Sequence, residues 1–417
     1  MSPHLGPISL SRELRYPAQM AESARPFTQI RIMVGSYEHN LLCLSLVLEG
    51  TKEPVFTPVF HFQAHALSIK SIDIAKRYLV TGSNDEHIRI YDLQKRKELG
   101  TLLSHQGTVT TLRFSKIGAQ NSTETGKSGK WLLSGSEDGK IIIWRTKDWE
   151  MLGTLKGHQG RVNDLDIHPS GRVAISVSTD KTVRLWNLMT AKKAAVLKIK
   201  GKDHLGQSGE IVRWTNSGKH FIVGLLNRIF FYELGDEAEI KHKLELKTTL
   251  MCLEVAHIQG KEYLITGHSN GTIEFVEISK ILDSKEETPS TEPEFVLRGH
   301  SNRVKGLSIY CDEIETKGIP YLVSVSSDGR IVVWDLRTEV RDQVAVYDSG
   351  ERLNCVAVCG ETVEKAHTMK RTHEESEANG VSESEFETDA EEVQRVMIEK
   401  KKRGKKKKKS KVNVTLE

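Results

Sequence analysis

GHQGRVNDLDIHPSGRVAISVSTDKTVRLWN, residues 157 to 187, holds three short apolar runs separated by turn formers. Val162, Leu165 and Ile167 belong to the first run, Val173 to Val177 form the second, and Thr182 to Trp186 the third. His168-Pro169-Ser170-Gly171 and Ser178-Thr179-Asp180-Lys181 lie between them. Runs of about five residues rich in Val, Ile and Thr, bounded by such residues, are predicted to be antiparallel strands. None is long enough for a buried helix.

The same unit recurs. Asp85 stands six residues before Tyr91, Asp138 before Trp144, Asp180 before Trp186, Asn270 before Val276 and Asp328 before Trp334. Successive aromatic or apolar positions, Tyr91, Trp144, Trp186, Tyr232, Val276 and Trp334, are 42 to 58 residues apart. Four short strands repeated at that period make a propeller blade.

Gly157-His158 and Gly299-His300, with His65 and His105 as degenerate partners, precede these units, and the whole pattern resembles WD40 repeats. More narrowly, VGSYE (34–38), LVTGSNDEHIRIYD (79–92), LSGSEDGKIIIW (133–144), IHPSGRVAISVSTDKTVRLWNL (167–188) and VSSDGRIVVWDL (325–336), followed by a lysine-rich tail, resemble the p21-activated-kinase-interacting WD-repeat proteins. That family is also known for nucleolar factors of large-ribosomal-subunit assembly. The resemblance covers roughly residues 29 to 360, and the tail in composition only. It implies an all-β, seven-bladed WD40 propeller.

The resemblance further implies a buried hydrogen-bonded network within each regular blade. His158, Ser176, Asp180 and Trp186 would form one, His300, Ser324, Asp328 and Trp334 another, with Asp138 and Trp144 holding equivalent positions in blade three. A Ser-His-Asp set also suggests a catalytic triad. Its recurrence in several blades argues for structure, because catalysis needs one site. Blades one, five and six depart from the pattern and are expected to be weaker.

In chain order, residues 1–28 lack an apolar period and are expected to be a disordered extension. The propeller is expected over 29–360, with blade one short of one strand. Arg352 to Val358 forms an extra strand at the far end, so 352–358 is expected to complete blade one and close the ring. Insertions interrupt blade three (Ala119 to Lys130) and blade six (Asp283 to Glu294), and a disordered acidic-then-basic tail is expected over 361–417.

Composition excludes several classes. Five cysteines without a CxxC pair read as reduced residues of an intracellular chain. The longest apolar stretch, Leu41 to Leu48, is far short of a membrane span, and the N-terminus lacks a secretory layout, so no membrane contact is expected and the sequons at Asn121 and Asn413 should go unused. His39, His61, His87, His168 and His268 show no metal-ligand spacing, and neither metal nor cofactor is expected. Gly126-Lys127-Ser128 lacks the full phosphate-loop motif and reads as a surface insertion. No small-molecule substrate is expected.

Charge is concentrated at one end. The formal net charge is +4, yet residues 400 to 411 carry ten Lys and Arg, leaving −6 for the rest. Lys400, Lys401, Lys402, Arg403, Lys405, Lys406, Lys407, Lys408 and Lys409 are expected to be read by importins and to contact RNA, against the plainer reading of a solubilising tail. Upstream, Glu374 to Glu392 holds nine acidic residues, with Ser382, Ser384 and Thr388 each three positions before another acid, the pattern acidophilic kinases favour. Trp334-Asp335-Leu336-Arg337 matches a box by which some WD40 proteins dock a cullin–RING ligase adaptor, although Trp-Asp is also the repeat's own strand ending.

The leading expectation is a non-enzymatic nucleolar scaffold for large (60S) subunit assembly and pre-rRNA processing, with assembly factors and pre-rRNA as partners. An alternative is a negative regulator that binds a p21-activated kinase. A ubiquitin-ligase receptor, docking through Trp334, Asp335 and Arg337, is a third. Loops near Arg161 and Arg303 are candidates for partner contact.

Overall fold

The computed structural model describes residues 28–360 apart from 49–52, 116–128, 200–205, 235–237, 285, 287–291 and 312–317. The chain divides into two units, Met1–Glu364 and Lys365–Glu417, and every described residue belongs to the first.

Among the described residues, seven four-stranded antiparallel sheets follow one another as the blades of a β-propeller. Their first strands, Ile69–Ala75, Val109–Phe114, Val162–Ile167, Ile211–Trp214, Leu250–Ile258, Val304–Tyr310 and Leu353–Gly360, each pack against the next in a closed ring. They line a central channel of about 350 Å³.

The apolar pattern follows from this stacking. Val173–Ser178, the second strand of blade four, is covered on both faces by neighbouring blades, so it is almost wholly buried instead of alternating. The outer strand Lys192–Lys198 is covered on one side only and carries lysines into solvent. Where a second strand meets the next blade's first strand, backbones approach closely. A Cβ on Gly82 would sit 2.6 Å from Val109, and one on Gly224 2.6 Å from Leu250, so only glycine fits without movement.

Third and fourth strands share another device. Their register shifts between Ile90 and Tyr91, Ile143 and Trp144, Leu185 and Trp186, Phe231 and Tyr232, and Val333 and Trp334. Such bulges re-aim the following side chain, here the aromatic residue of blades two, three, four, five and seven.

Blade one is assembled from both ends of the described chain. Thr28–Ser36 pairs with Asn40–Leu48 on one side and with Leu353–Gly360 on the other, from Ile30 opposite Gly360 to Val34 opposite Val356. The Tyr37 N–H donates to the Arg352 carbonyl at 2.7 Å, and the Arg352 N–H to Glu38 at 3.0 Å.

One expectation needs correction. A helix, Ile278–Leu282, follows the third strand of blade six where only strands and an insertion were expected. Its two buried isoleucines, Ile278 and Ile281, fill the cluster of Ile222, Phe231 and Leu264 between blades five and six, and that tertiary contact supports an element of too few residues to stand alone. Blades five and one also do not simply lose the polar network. Val223 and Val34 replace its serine, and Phe221 stacks on Tyr232 at 4.8 Å. In these two blades apolar side chains occupy the place of the polar network.

Candidate functional site

Blade four holds its network complete. The Trp186 indole N–H donates to Ser176 Oγ at 2.8 Å, Ser176 lies 2.8 Å from His158 Nε2, and His158 Nδ1 lies 3.0 Å from Asp180. A neutral imidazole with its proton on Nδ1 satisfies all three contacts, the serine hydroxyl donating to Nε2. Burial pushes the His158 pKa down, outweighing the attraction of Asp180. Burial pushes Asp180 up, but hydrogen bonds from Thr182, the Gln159 N–H and His158 prevail and hold it at about 2.

Asp180 does more than orient the histidine. It accepts from the N–H groups of Gln159 and Thr182, fastening the loop before the first strand to the turn between second and third. Asp85 does the same with Ala66 and His87, Asp138 with Gln106 and Lys140, and Asp328 with Ser301 and Arg330. The six-residue offset from Asp to aromatic is thus the distance from this turn to the bulge.

The other blades grade away from this arrangement. In blade three Trp144 donates to Ser134 at 2.9 Å and His105 sits 2.8 Å from Ser134, but its contact to Asp138 is 3.4 Å. Blade seven keeps Trp334 and His300 on Ser324, both at 2.8 Å, while Asp328 stands 3.5 Å from His300. Blade two uses Thr81 for the serine, 2.8 Å from His65, with Asp85 at 2.9 Å. Ser134, Thr81 and the histidines beside them are members that sequence reading left out or marked as degenerate. Blade six draws its histidine from inside a strand, His268 meeting Thr266 at 2.9 Å. Ser176, Ser134 and Ser324 are fully buried and hydrogen-bonded, so none is placed to attack a substrate.

The channel carries a second polar system. Arg213 contacts Asp164 at 2.5 Å and Glu254 at 2.9 Å, and Arg113 reaches the same Glu254 oxygen at 2.9 Å. These four side chains come from blades five, four, six and three in turn. Burial opposes the charge on Arg213, but Asp164, Glu254 and Asp166 outweigh it and raise its pKa. Cys252 and Cys355 also line the channel, and burial pushes each thiol up to about 12, which keeps both unreactive.

Other sequence candidates separate by exposure. Trp334 and Asp335 are each 2% exposed, and Arg337 clasps Asp335 through Nε at 2.9 Å and Nη2 at 2.6 Å. Of that adaptor-docking set only the Arg337 side chain reaches solvent. Among the described residues no group of three His, Cys, Asp or Glu is placed to hold a metal. Lys400 to Lys409, Ser382, Ser384, Thr388 and the Gly126-Lys127-Ser128 segment lie outside the described residues.

Residues 56–92, 96–145, 149–187 and 291–335 match the WD domain, G-beta repeat family. These matches end at Asp92, Arg145, Asn187 and Asp335, the third strands of blades two, three, four and seven, which are the blades with the His-Ser/Thr-Asp set. Protein MAK11 of Saccharomyces cerevisiae is 50% identical over 417 residues, spanning 93% of this chain and 98% of that protein. The p21-activated protein kinase-interacting protein 1-like of Gallus gallus is 33% identical over 334 residues, 79% of this chain and 80% of its own. Its Xenopus laevis counterpart is 34% identical over 310 residues, 74% and 75% respectively.

Proposed function

The chain belongs to the WD40-repeat family that includes MAK11 and the p21-activated kinase-interacting proteins, and from that premise we propose that it is a non-enzymatic nucleolar scaffold in assembly of the large ribosomal subunit and processing of pre-rRNA. The observation that carries this reading is the segregation of charge. Ten cations within residues 400 to 411 follow a chain that otherwise sums to −6, so the phosphate affinity resides in the tail and the ring is left to hold proteins. A ring with several loop-bearing surfaces suits simultaneous contacts, and its buried serines offer no nucleophile.

The test compares the full chain with a variant carrying Gln at Lys405, Lys406, Lys407, Lys408 and Lys409. Binding to a large-subunit pre-rRNA fragment is expected to be salt-dependent in the parent and largely lost in the variant, with nucleolar retention lost alongside. Equal RNA binding by the two proteins would contradict the assignment of tail to RNA.

A second reading is favoured by the names of the chicken and frog relatives, which state an interaction with p21-activated protein kinase. Here the propeller binds such a kinase and restrains it. The same tail variant separates the readings, since kinase binding through the propeller survives it. A ligase-adaptor role would have to rest on Arg337 alone, already held by Asp335, and Arg337→Ala with undiminished adaptor recovery would dismiss it.

A further inference from the structure

Positive charge on the ring is concentrated on one blade. Residues 156–199 of blade four carry eight Lys and Arg against three Asp, a net of +5 in a chain that sums to −6 outside its tail. All three acids are committed within the fold. Asp164 pairs with Arg213, Asp166 accepts from the Trp214 N–H at 2.8 Å, and Asp180 ties the Gln159 loop to the Thr182 turn. Of the cations, Arg184 turns back toward Asp180 at 3.8 Å and Arg161 donates to Asn163 at 3.0 Å. That leaves Lys156, Arg172, Lys181, Lys192, Lys193 and Lys198, all exposed and without an acidic partner among the described residues.

Three of these stand on the outer strand of the blade, Lys192–Lys198, which reads KKAAVLK. The other outer strands are Val55–Gln63, Lys97–Leu102, Glu150–Leu155, Ala238–Glu245, Phe295–Arg298 and Asp342–Asp348, and none has a net charge above +1. Those edges do without a row of lysines, so protection of a sheet edge does not account for this one. Acids on the flanking outer strands are engaged by their own neighbours. Glu150 pairs with Arg145 on blade three and Glu245 with Arg228 on blade five, where Glu239 lies in the field of Lys241.

We propose that the outer edge of blade four is a second RNA site, which lies side-on against the phosphate backbone of a double-helical segment. The seven-residue strand spans about 20 Å at the rise of a β-strand, comparable to the width of a duplex. Between its lysines stand Ala194 and Ala195, both exposed, and the strand carries no aromatic ring. Single strands are held largely by stacking on such rings, whereas a duplex is recognised by shape and phosphate contacts, which lysines on a flat edge supply. An acidic peptide suits the edge less well, because lysines on an outer strand oppose addition of a further strand and small alanines offer no pocket for apolar side chains. The inference rests on the ribosomal reading and deepens it. The tail would supply sequence-independent attraction, and blade four would fix how a helix of the precursor lies against the ring, leaving the other blades to proteins.

The probes are a fluorescein-labelled RNA duplex of about 16 base pairs, an oligouridylate of the same strand length and an oligoglutamate, measured by anisotropy against the full chain. Two variants separate the sites: Lys192→Gln, Lys193→Gln and Lys198→Gln together, and Gln at Lys405 to Lys409. The blade-four variant is expected to bind the duplex roughly tenfold more weakly at low salt, with a salt slope shallower by about three, and to leave oligouridylate binding nearly unchanged. The tail variant should weaken both RNAs, and the duplex binding that survives it should disappear when the blade-four substitutions are added. Failure of the tail assignment therefore shows in the oligouridylate, and failure of the blade assignment in the duplex. Unchanged duplex affinity and salt slope in a blade-four variant with the parental melting profile would overturn the proposal. So would an equal loss for duplex and oligouridylate, or an oligoglutamate bound through these lysines more tightly than the duplex, which would make the edge a docking site for an acidic protein.

Discussion

Asn40 donates its side-chain amide to Glu351 at 2.8 Å, joining residues 311 positions apart. His61 meets the same Glu351 oxygen at 2.9 Å, so the turn leading into Leu353–Gly360 is tied to both later strands of blade one. A chain ending at Gly350 loses the first strand of that blade and exposes the edge of Thr28–Ser36 to other chains. Its melting temperature should fall by more than about 5 °C, or the protein should aggregate on purification. Calorimetry and light scattering decide it, and a monomer melting at the parental temperature would show that closure adds nothing.

Ser176 is the hub of the blade-four network, and Ser176→Ala leaves Trp186 Nε1 and His158 Nε2 without their partner in a buried site. Orphaned buried groups cost about 1–3 kcal/mol each, so urea unfolding should report a loss of about 2 kcal/mol or more. A change below about 0.5 kcal/mol would mean that the network is replaceable by water.

Acid should destabilise the propeller in two stages. The pKa values of His65, His105, His158 and His300 are all lowered by burial, so the unfolded chain binds more protons and stability declines as pH falls below the ordinary histidine value of 6.5. Asp180, held at about 2, adds stability above its ordinary 3.8 that is lost as pH drops toward 2. Melting temperatures at constant ionic strength are therefore expected to be lower at about pH 5 than at about pH 7.5. A rise on acidification would contradict the neutral-histidine assignment.

Glu254 is the shared acceptor of Arg113 and Arg213 in the channel. Glu254→Ala leaves two arginines of like charge facing one carboxylate fewer and should cost about 2–3 kcal/mol in urea unfolding. Adding Arg113→Leu removes the arginine left without an acceptor and should recover part of the loss. A double variant no more stable than the single would place the cost in packing.

Legibility in the sequence tracks what repeats. The aromatic bulge position and its turn aspartate stand six residues apart in blades two, three, four and seven, because no insertion falls between second-strand turn and third strand. The histidine is harder to see: it precedes the aspartate by 20 residues in blade two, 22 in blade four, 28 in blade seven and 33 in blade three. Insertions between the first two strands account for that spread, and they hid the His105-Ser134-Trp144 set. His268 carries no such signal, because it occupies a strand position where blade four has Ser178. The channel network left no trace, since Arg113, Asp164, Arg213 and Glu254 meet across the axis and no period along the chain records who faces whom. The helix at Ile278–Leu282 escaped because its apolar Ile278, Ile281 and Leu282, although at helical spacing, span only five residues, too short a window for that period to be read.

The central claim, a protein-binding ring whose basic tail grips precursor rRNA, is tested most directly by affinity purification of the tagged full chain from nuclear extract. RNA and proteins are identified before and after nuclease treatment. The account predicts large-subunit precursor rRNA with its assembly factors, and a subset of proteins that remains bound after nuclease through the propeller. Recovery of a kinase or a ligase adaptor without rRNA would contradict it, reducing the lysine block to a targeting signal and moving the function to signalling or degradation.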